Sequence, residues 1–242
     1  MQVFKLVFTC VLLLLTNRAD TKELIIQVAL LPPYVMQGEH RGIACDIIER
    51  ALANQGFKIK FSFTNYKRME VEVPQGRADG AFAGIPIDNK QVYFSEPVIE
   101  FKNVAVTLQD QNLAIDKLAD FADKHVISFR HANRILGKDF ADAVKRAASY
   151  FEVADQGSQL PMLNAHRGNV TVLDHRAFIY YAHQLNGKNF SQNRYKQHAI
   201  FKPVVGQMAF HKMETRDLFN RGLKDLLQSG EYEAIIKKYL HN

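Results

Sequence analysis

The sequence predicts an α/β protein of two lobes, and three observations carry that reading. Strand-like and helix-like segments alternate from Glu23 to Ile85, an order that builds a mostly parallel sheet with crossover helices. A second alternating series begins after Leu108. No repeat, low-complexity run or Gly/Ser linker separates the two series. They therefore read as two lobes joined by strands, each a mostly parallel sheet flanked by helices.

The first strand is the near-continuous apolar run from Glu23 to Leu31, closed by Pro32-Pro33; such a run suits burial on both faces. Gly42 opens a helix in which Ala44-Cys45, Ile47-Ile48 and Ala51-Leu52 recur at helical spacing, ending at Gly56. Lys58 to Phe63 alternates as a strand with Ile59, Phe61 and Phe63 on one face, and Tyr66 to Val73 is a short helix. Ala81, Phe82, Ala83 and Ile85 form the next strand, in which Gly84 permits close approach of a ligand or backbone.

Phe101 to Leu108 is an apolar strand that crosses to the second series. There the sequence predicts a short helix at Leu118–Ala122, a strand at His125–Phe129 and one amphipathic helix from Arg134 to Ala148. A helix at Gln159–His166, a strand at Asn169–Leu173 and a helix at Asp174–Leu185 follow. Lys202 to His211 is the returning strand, and Ser229-Gly230 divides two closing helices.

Lys5 precedes an apolar run from Leu6 to Leu15, then Thr16-Asn17-Arg18-Ala19. That run is too short for a membrane anchor and matches a cleavable export signal, residues 1–19. Cys10 lies inside the run, so it is no lipidation site; after cleavage Cys45 is the single cysteine and no internal disulfide can form. Cys45 reads as a small buried hydrophobe, and the fold must rest on its core. The chain carries a net charge of +6, of which Lys5 and Arg18 are in the signal, so the remainder carries +4. The charges are dispersed, which excludes nucleic acid as the expected partner.

Residues 76–97 are the most informative stretch. Gly76-Arg77-Ala78-Asp79-Gly80 leads into the strand, and Tyr93-Phe94-Ser95-Glu96-Pro97 forms a proline-terminated return. With Gly230-Glu231-Tyr232 and Ile235-Ile236-Lys237-Lys238-Tyr239 at the end, this resembles the bacterial extracellular solute-binding proteins of family 3, over about residues 24–240. The resemblance implies a two-lobed periplasmic-binding-protein-like fold (type II) with two crossover strands. Lobe 1 would be residues 20–104 and 205–242, and lobe 2 residues 105–204. It also implies a monomer in the periplasm, a small polar solute such as an amino acid or related amine or carboxylate, and an inner-membrane ABC-type permease as partner. No cofactor, metal or catalysis is expected.

The resemblance places the ligand beside Tyr34, held by Pro32-Pro33 as a rigid aromatic cover, and beside the strand end Gly84, Ile85 and Pro86. Asp174 matches the position that receives a ligand amine, although a carboxylate there also caps a helix. Such receptors usually carry a Glu-Arg pair before the Phe-Ser-x-Pro return, whose Arg clamps the ligand carboxylate. Here the loop reads Ile87-Asp88-Asn89-Lys90-Gln91-Val92, with Asn89 or Asp88 about where that Arg is expected. Arg68 and Arg130 are the replacement cations, with His131 beside the latter; backbone N–H groups after Phe129 are a further anion seat. Two other readings use the same cleft, a dehydratase acting on a cyclic carboxylic acid and a stand-alone sensory module. A metal site from His131, Asp174 and His175 is the weakest alternative.

Overall fold

The computed structural model describes residues 22–38, 41–187 and 192–240; the expected export signal, with Cys10, lies outside the described residues. Two five-stranded sheets organise the chain. The first has the order β2-β1-β3-β10-β4, from Lys58–Phe63, Glu23–Val28, Gly80–Phe82, Val204–Phe210 and Tyr93–Phe101. The second has the order β7-β6-β8-β5-β9, from Ser149–Val153, His125–Phe129, Val170–Asp174, Asn103–Leu108 and Tyr195–His198.

The sheets share one plan. β1 is parallel to β2 and β3, whereas β10 runs antiparallel to β3 and β4. Likewise β6 is parallel to β7 and β8, and β5 runs antiparallel to β8 and β9. In each sheet the opposed strand is the one that arrives from the other sheet, and the remaining four share a direction. The sheets are thus mixed by pairing but mostly parallel by direction.

Both faces of each sheet are covered. Helix α1 (Ile43–Ala53) and the closing helices α7 (Met213–Ser229) and α8 (Glu231–Leu240) bury Ile47, Leu52, Phe219, Leu223 and Ile236 against Leu24, Ile26 and Val28. Helix α2 (Tyr66–Glu72) puts Met69 on the other face with Ala81. In the second sheet, α3 (Ala132–Ile135) and α4 (Lys138–Val144) pack on one side, around Phe121, Phe140 and Val126. Helices α5 (Gln159–Asn164) and α6 (His175–Asn186) close the other, around Leu160, Leu163 and Phe178. Cys45 is fully buried in α1, where desolvation pushes its thiol up to about 12. It is the inert hydrophobe the sequence suggests.

Three expectations are corrected. Phe101–Leu108 is not one crossing strand: β4 begins back at Tyr93 and ends at Phe101, and the chain changes sheets at Lys102 before β5. The helix expected over Arg134–Ala148 is two short helices separated at Gly137, φ 86°, and its continuation is strand β7. That strand and β9 are sheet edges, whose fate is set by pairing with His125–Phe129 and Asn103–Leu108 rather than by local pattern. Phe63, expected to share a covered face, is 38% exposed at the end of edge strand β2.

Candidate functional site: a cavity at the carboxyl ends of two sheets

In open α/β sheets ligands sit beyond the carboxyl ends of the strands, and here both sheets point those ends at one cavity of about 240 Å³. The first sheet supplies Leu30, Leu31 and Tyr34 after β1, and Ala83, Gly84 and Ile85 after β3. The second supplies Phe129 and Arg130 at the end of β6, Ala154 and Gln156 after β7, and Asp174 at the end of β8. Phe101, Asn103 and Val204 line it from the two passages between sheets. Its size suits a small solute rather than a drug-sized one. A broader hollow of about 920 Å³ lies on the back of the first lobe against α1 and α8. Six of its charged residues pair as Arg41–Glu49, Arg50–Glu231 and Lys238–Asp46, and it lies away from the carboxyl ends of the strands.

The sequence-derived candidates separate into two groups. Tyr34, Gly84, Ile85, Arg130 and Asp174 converge on the cavity. Gly84 has φ 75°, and a Cβ there would stand 2.6 Å from Leu31 Cδ2; only glycine keeps this wall in place. Arg68, Pro86, Asn89 and His131 are not among the residues lining it. Arg68 pairs with Glu72 one helical turn on. The carbonyl of Pro86 accepts from the Tyr66 hydroxyl at 2.8 Å. Asn89 accepts from the N–H of Gln91 at 2.8 Å, closing its own loop.

Asp174 is the most connected polar group in the site. It caps α6, with Oδ1 accepting from Arg176 N–H (2.9 Å) and Ala177 N–H (3.2 Å). The same oxygen accepts from the hydroxyl of Tyr34, in the other lobe, at 2.6 Å, and Oδ2 accepts from Lys102 N–H at 2.8 Å. Tyr34 is only 1% exposed; burial first, and the Asp174 charge second, hold its phenol well above the usual tyrosine range. Its ring meets Phe101 edge-on, with centroids 4.8 Å apart. Tyr34 thus forms part of the floor rather than a loose cover. Arg176 lies alongside, donating to the carbonyl of Glu100 at 3.2 Å.

The backbone donors after Phe129 also have a partner. His131 N–H donates to Glu152 Oε2 at 2.6 Å, and Asn133 N–H to Oε1 at 3.2 Å. Glu152 stands on β7 and also accepts from the Tyr150 hydroxyl at 2.7 Å. An internal carboxylate thus occupies the anion seat that the sequence suggested for a ligand. Sequence reasoning missed Glu152, because its strand, Ser149–Val153, falls in a stretch to which the sequence assigned no element. It missed Asn103 too, which looked like an ordinary strand residue. Among the described residues no group of three or more His, Cys, Asp or Glu side chains could hold a metal ion.

Two α/β lobes closing on a cavity at the strand ends, with polar groups contributed by both, define a two-lobed solute receptor. Residues 24–242 match the family described as bacterial extracellular solute-binding proteins, family 3, and the chain belongs to it. An arginine-binding periplasmic protein of Mannheimia haemolytica is 25% identical over 247 residues, spanning 97% of this chain and 96% of that protein. Among solved structures, an ancestral arginine-binding protein bound to arginine has a TM-score of 0.70 at 20% identity, covering 90% of this chain and 97% of the other. The GluR0 ligand-binding core in complex with L-glutamate has a TM-score of 0.75 at 17% identity, covering 91% and 99%. These structures share the fold. As a member of this family the protein binds a small solute outside the cytoplasmic membrane.

Proposed function

We propose that the protein is a monomeric periplasmic receptor, exported by residues 1–19, that captures a small solute between its lobes and delivers it to an ABC-type permease without transforming it. The observation that supports this reading is the cavity itself, walled by strand ends of both sheets. A solute touching both walls favours the closed arrangement over the open one, and that differential contact is what drives closure. The lobes, near the expected divisions at 104/105 and 204/205, would swing about Lys102 and the segment 199–203. Within the cavity Tyr34, Gly84 and Ile85 act from lobe 1 and Arg130 from lobe 2. Arg68, Pro86, Asn89 and His131 shape the surrounding loops. The relatives named for arginine make amino acids the first compounds to try.

The test is thermal unfolding of the exported protein against amino acids, polyamines, small organic acids and short peptides. A ligand at about 100 times its dissociation constant adds roughly 2.7 kcal/mol, on the order of 5–10 °C for a domain of this size. A shift confined to one chemical class is the expected result. No shift with any class, in protein freed of bound solute by unfolding and refolding, counts against the receptor role.

A further inference from the structure

The polar groups around the cavity decide what it can hold. Asp174 is the one carboxylate among the described residues lining it. It already accepts from Tyr34, Lys102, Arg176 and Ala177. A carboxylate has about four lone-pair sites, two on each oxygen; Oδ1 already serves three donors and Oδ2 one, so an ammonium or guanidinium would find only the remaining site on Oδ2. Glu152 fills the backbone donors of His131 and Asn133, which removes the second ready-made polar seat.

Among the described residues three polar side chains lining the cavity, those of Arg130, Asn103 and Gln156, make no hydrogen bond or ion pair. Arg130 lines the cavity and, among the described residues, has no ion pair or hydrogen-bond partner. Asn103 also lines it and is 6% exposed, yet its side-chain amide has no partner among the described residues. The amide belongs to a largely buried residue on the cavity lining, where it can bond to whatever occupies the cavity. Asn103 faces Asp174 in the β5–β8 ladder, which fixes it to the floor. The wall from lobe 1 is apolar: Leu31, Ala83, Ile85 and Phe101 line it, and Leu30 leaves 59% of its surface bare at the edge.

We propose that the cavity takes a small carboxylate with an apolar body, its anion on Arg130 and the Asn103 amide and its hydrocarbon on the lobe 1 wall, and not a basic amino acid. Asp174 and the neighbouring Arg176 offset one another, which leaves Arg130 as the uncompensated charge. An arginine side chain would bring a second cation into a cavity whose one acid among the described lining residues, Asp174, already serves four protein donors and stands beside Arg176, so its burial would be poorly compensated. This inference rests on the receptor reading.

Titration calorimetry with 4-methylpentanoate, leucine and arginine tests it. The acid is expected to bind at least tenfold more tightly than leucine, and arginine more weakly than either. Arg130→Gln should weaken the acid tenfold or more. Asn103→Ala should weaken it several-fold, while the midpoint of unfolding of the ligand-free protein stays close to that of the wild type, because the amide makes no hydrogen bond within the described residues. Binding of arginine or leucine as tight as that of the acid overturns the ligand class and leaves the receptor standing. Unchanged affinity in Arg130→Gln also overturns it. Failure of the whole wider panel removes the receptor reading and this inference together.

Discussion

Glu152 shows at the scale of one residue how a charge can be fixed by backbone donors. Burial pushes its carboxyl up, but hydrogen bonds from Tyr150, Asn133 and His131 outweigh it and hold the group below the ordinary carboxylate range. Its folded value thus lies below an unfolded value of about 4.3. The stabilisation is complete above that value and disappears as pH falls through the lower folded one. Glu152→Gln should therefore lower stability at pH 7 by about 1–3 kcal/mol, the worth of hydrogen bonds to a charged group. Below about pH 4 the gap between wild type and variant should narrow. Thermal unfolding at several pH values reads this directly, and a constant gap would reject the role. Gly84 gives a second expectation. Gly84→Val puts a β-branched residue at φ 75° and presses on Leu31. It should cost on the order of 1–3 kcal/mol and weaken any ligand in the cavity, as calorimetry beside a melting curve would show.

Elements were legible where one face of local pattern met one buried surface. In α1, Ile43, Ala44, Ile47, Ile48, Ala51 and Leu52 are all buried, and β6 spans the expected His125–Phe129. Patterning failed where tertiary pairing decides. Ser149–Val153 is partly covered throughout, so its strand state depends on β6 rather than on its own alternation. The site was legible in the same measure. Gly84, Ile85, Arg130 and Asp174 were singled out by lying at strand ends, where topology sends ligands, together with the family resemblance, and the structure puts all four on the cavity lining. Asn103 carried no such mark: its significance lies in a side-chain amide left without a protein partner on the cavity lining, which only packing creates. The contact of α1 with α7 is a related case. A Cβ on Gly222 would lie 2.0 Å from the carbonyl oxygen of Ala51, so the helices touch backbone to backbone. Gly222→Ala should force them apart and cost about 1–3 kcal/mol, despite the better helix propensity of alanine. Chemical denaturation of the variant checks it, and a stabilised Gly222→Ala would mean that α7 can shift freely.

Across the whole molecule, the lobes meet at the passages and at the far lip of the cleft. Near the passages Tyr34 donates to Asp174 and Arg176 to the carbonyl of Glu100, joining first-lobe residues to the capped end of β8. At the lip the Arg134 guanidinium, on α3, stands 5.9 Å from the centre of the Tyr66 ring, on α2. Tyr66 is itself fixed, donating to Pro86 carbonyl and accepting from Asp88 N–H. The first set would persist through a rotation about Lys102, being close to the axis, whereas the second can form only when the cleft is shut. Arg134 therefore biases the closed arrangement without touching the cavity lining. A cation–π contact at an exposed site is worth about 0.5–1 kcal/mol. A ligand that binds the closed form loses affinity in proportion to the closed population. Arg134→Ala should then weaken every cavity ligand by about two- to fivefold, whatever its chemistry, and raise the radius of gyration of the ligand-free protein in solution scattering. Arg130→Gln differs in kind, because it should discriminate among ligands by charge. If Arg134→Ala left affinity and radius unchanged, the lip contact would have no part in closure, and the contacts around Asp174 would have to set the closed population alone.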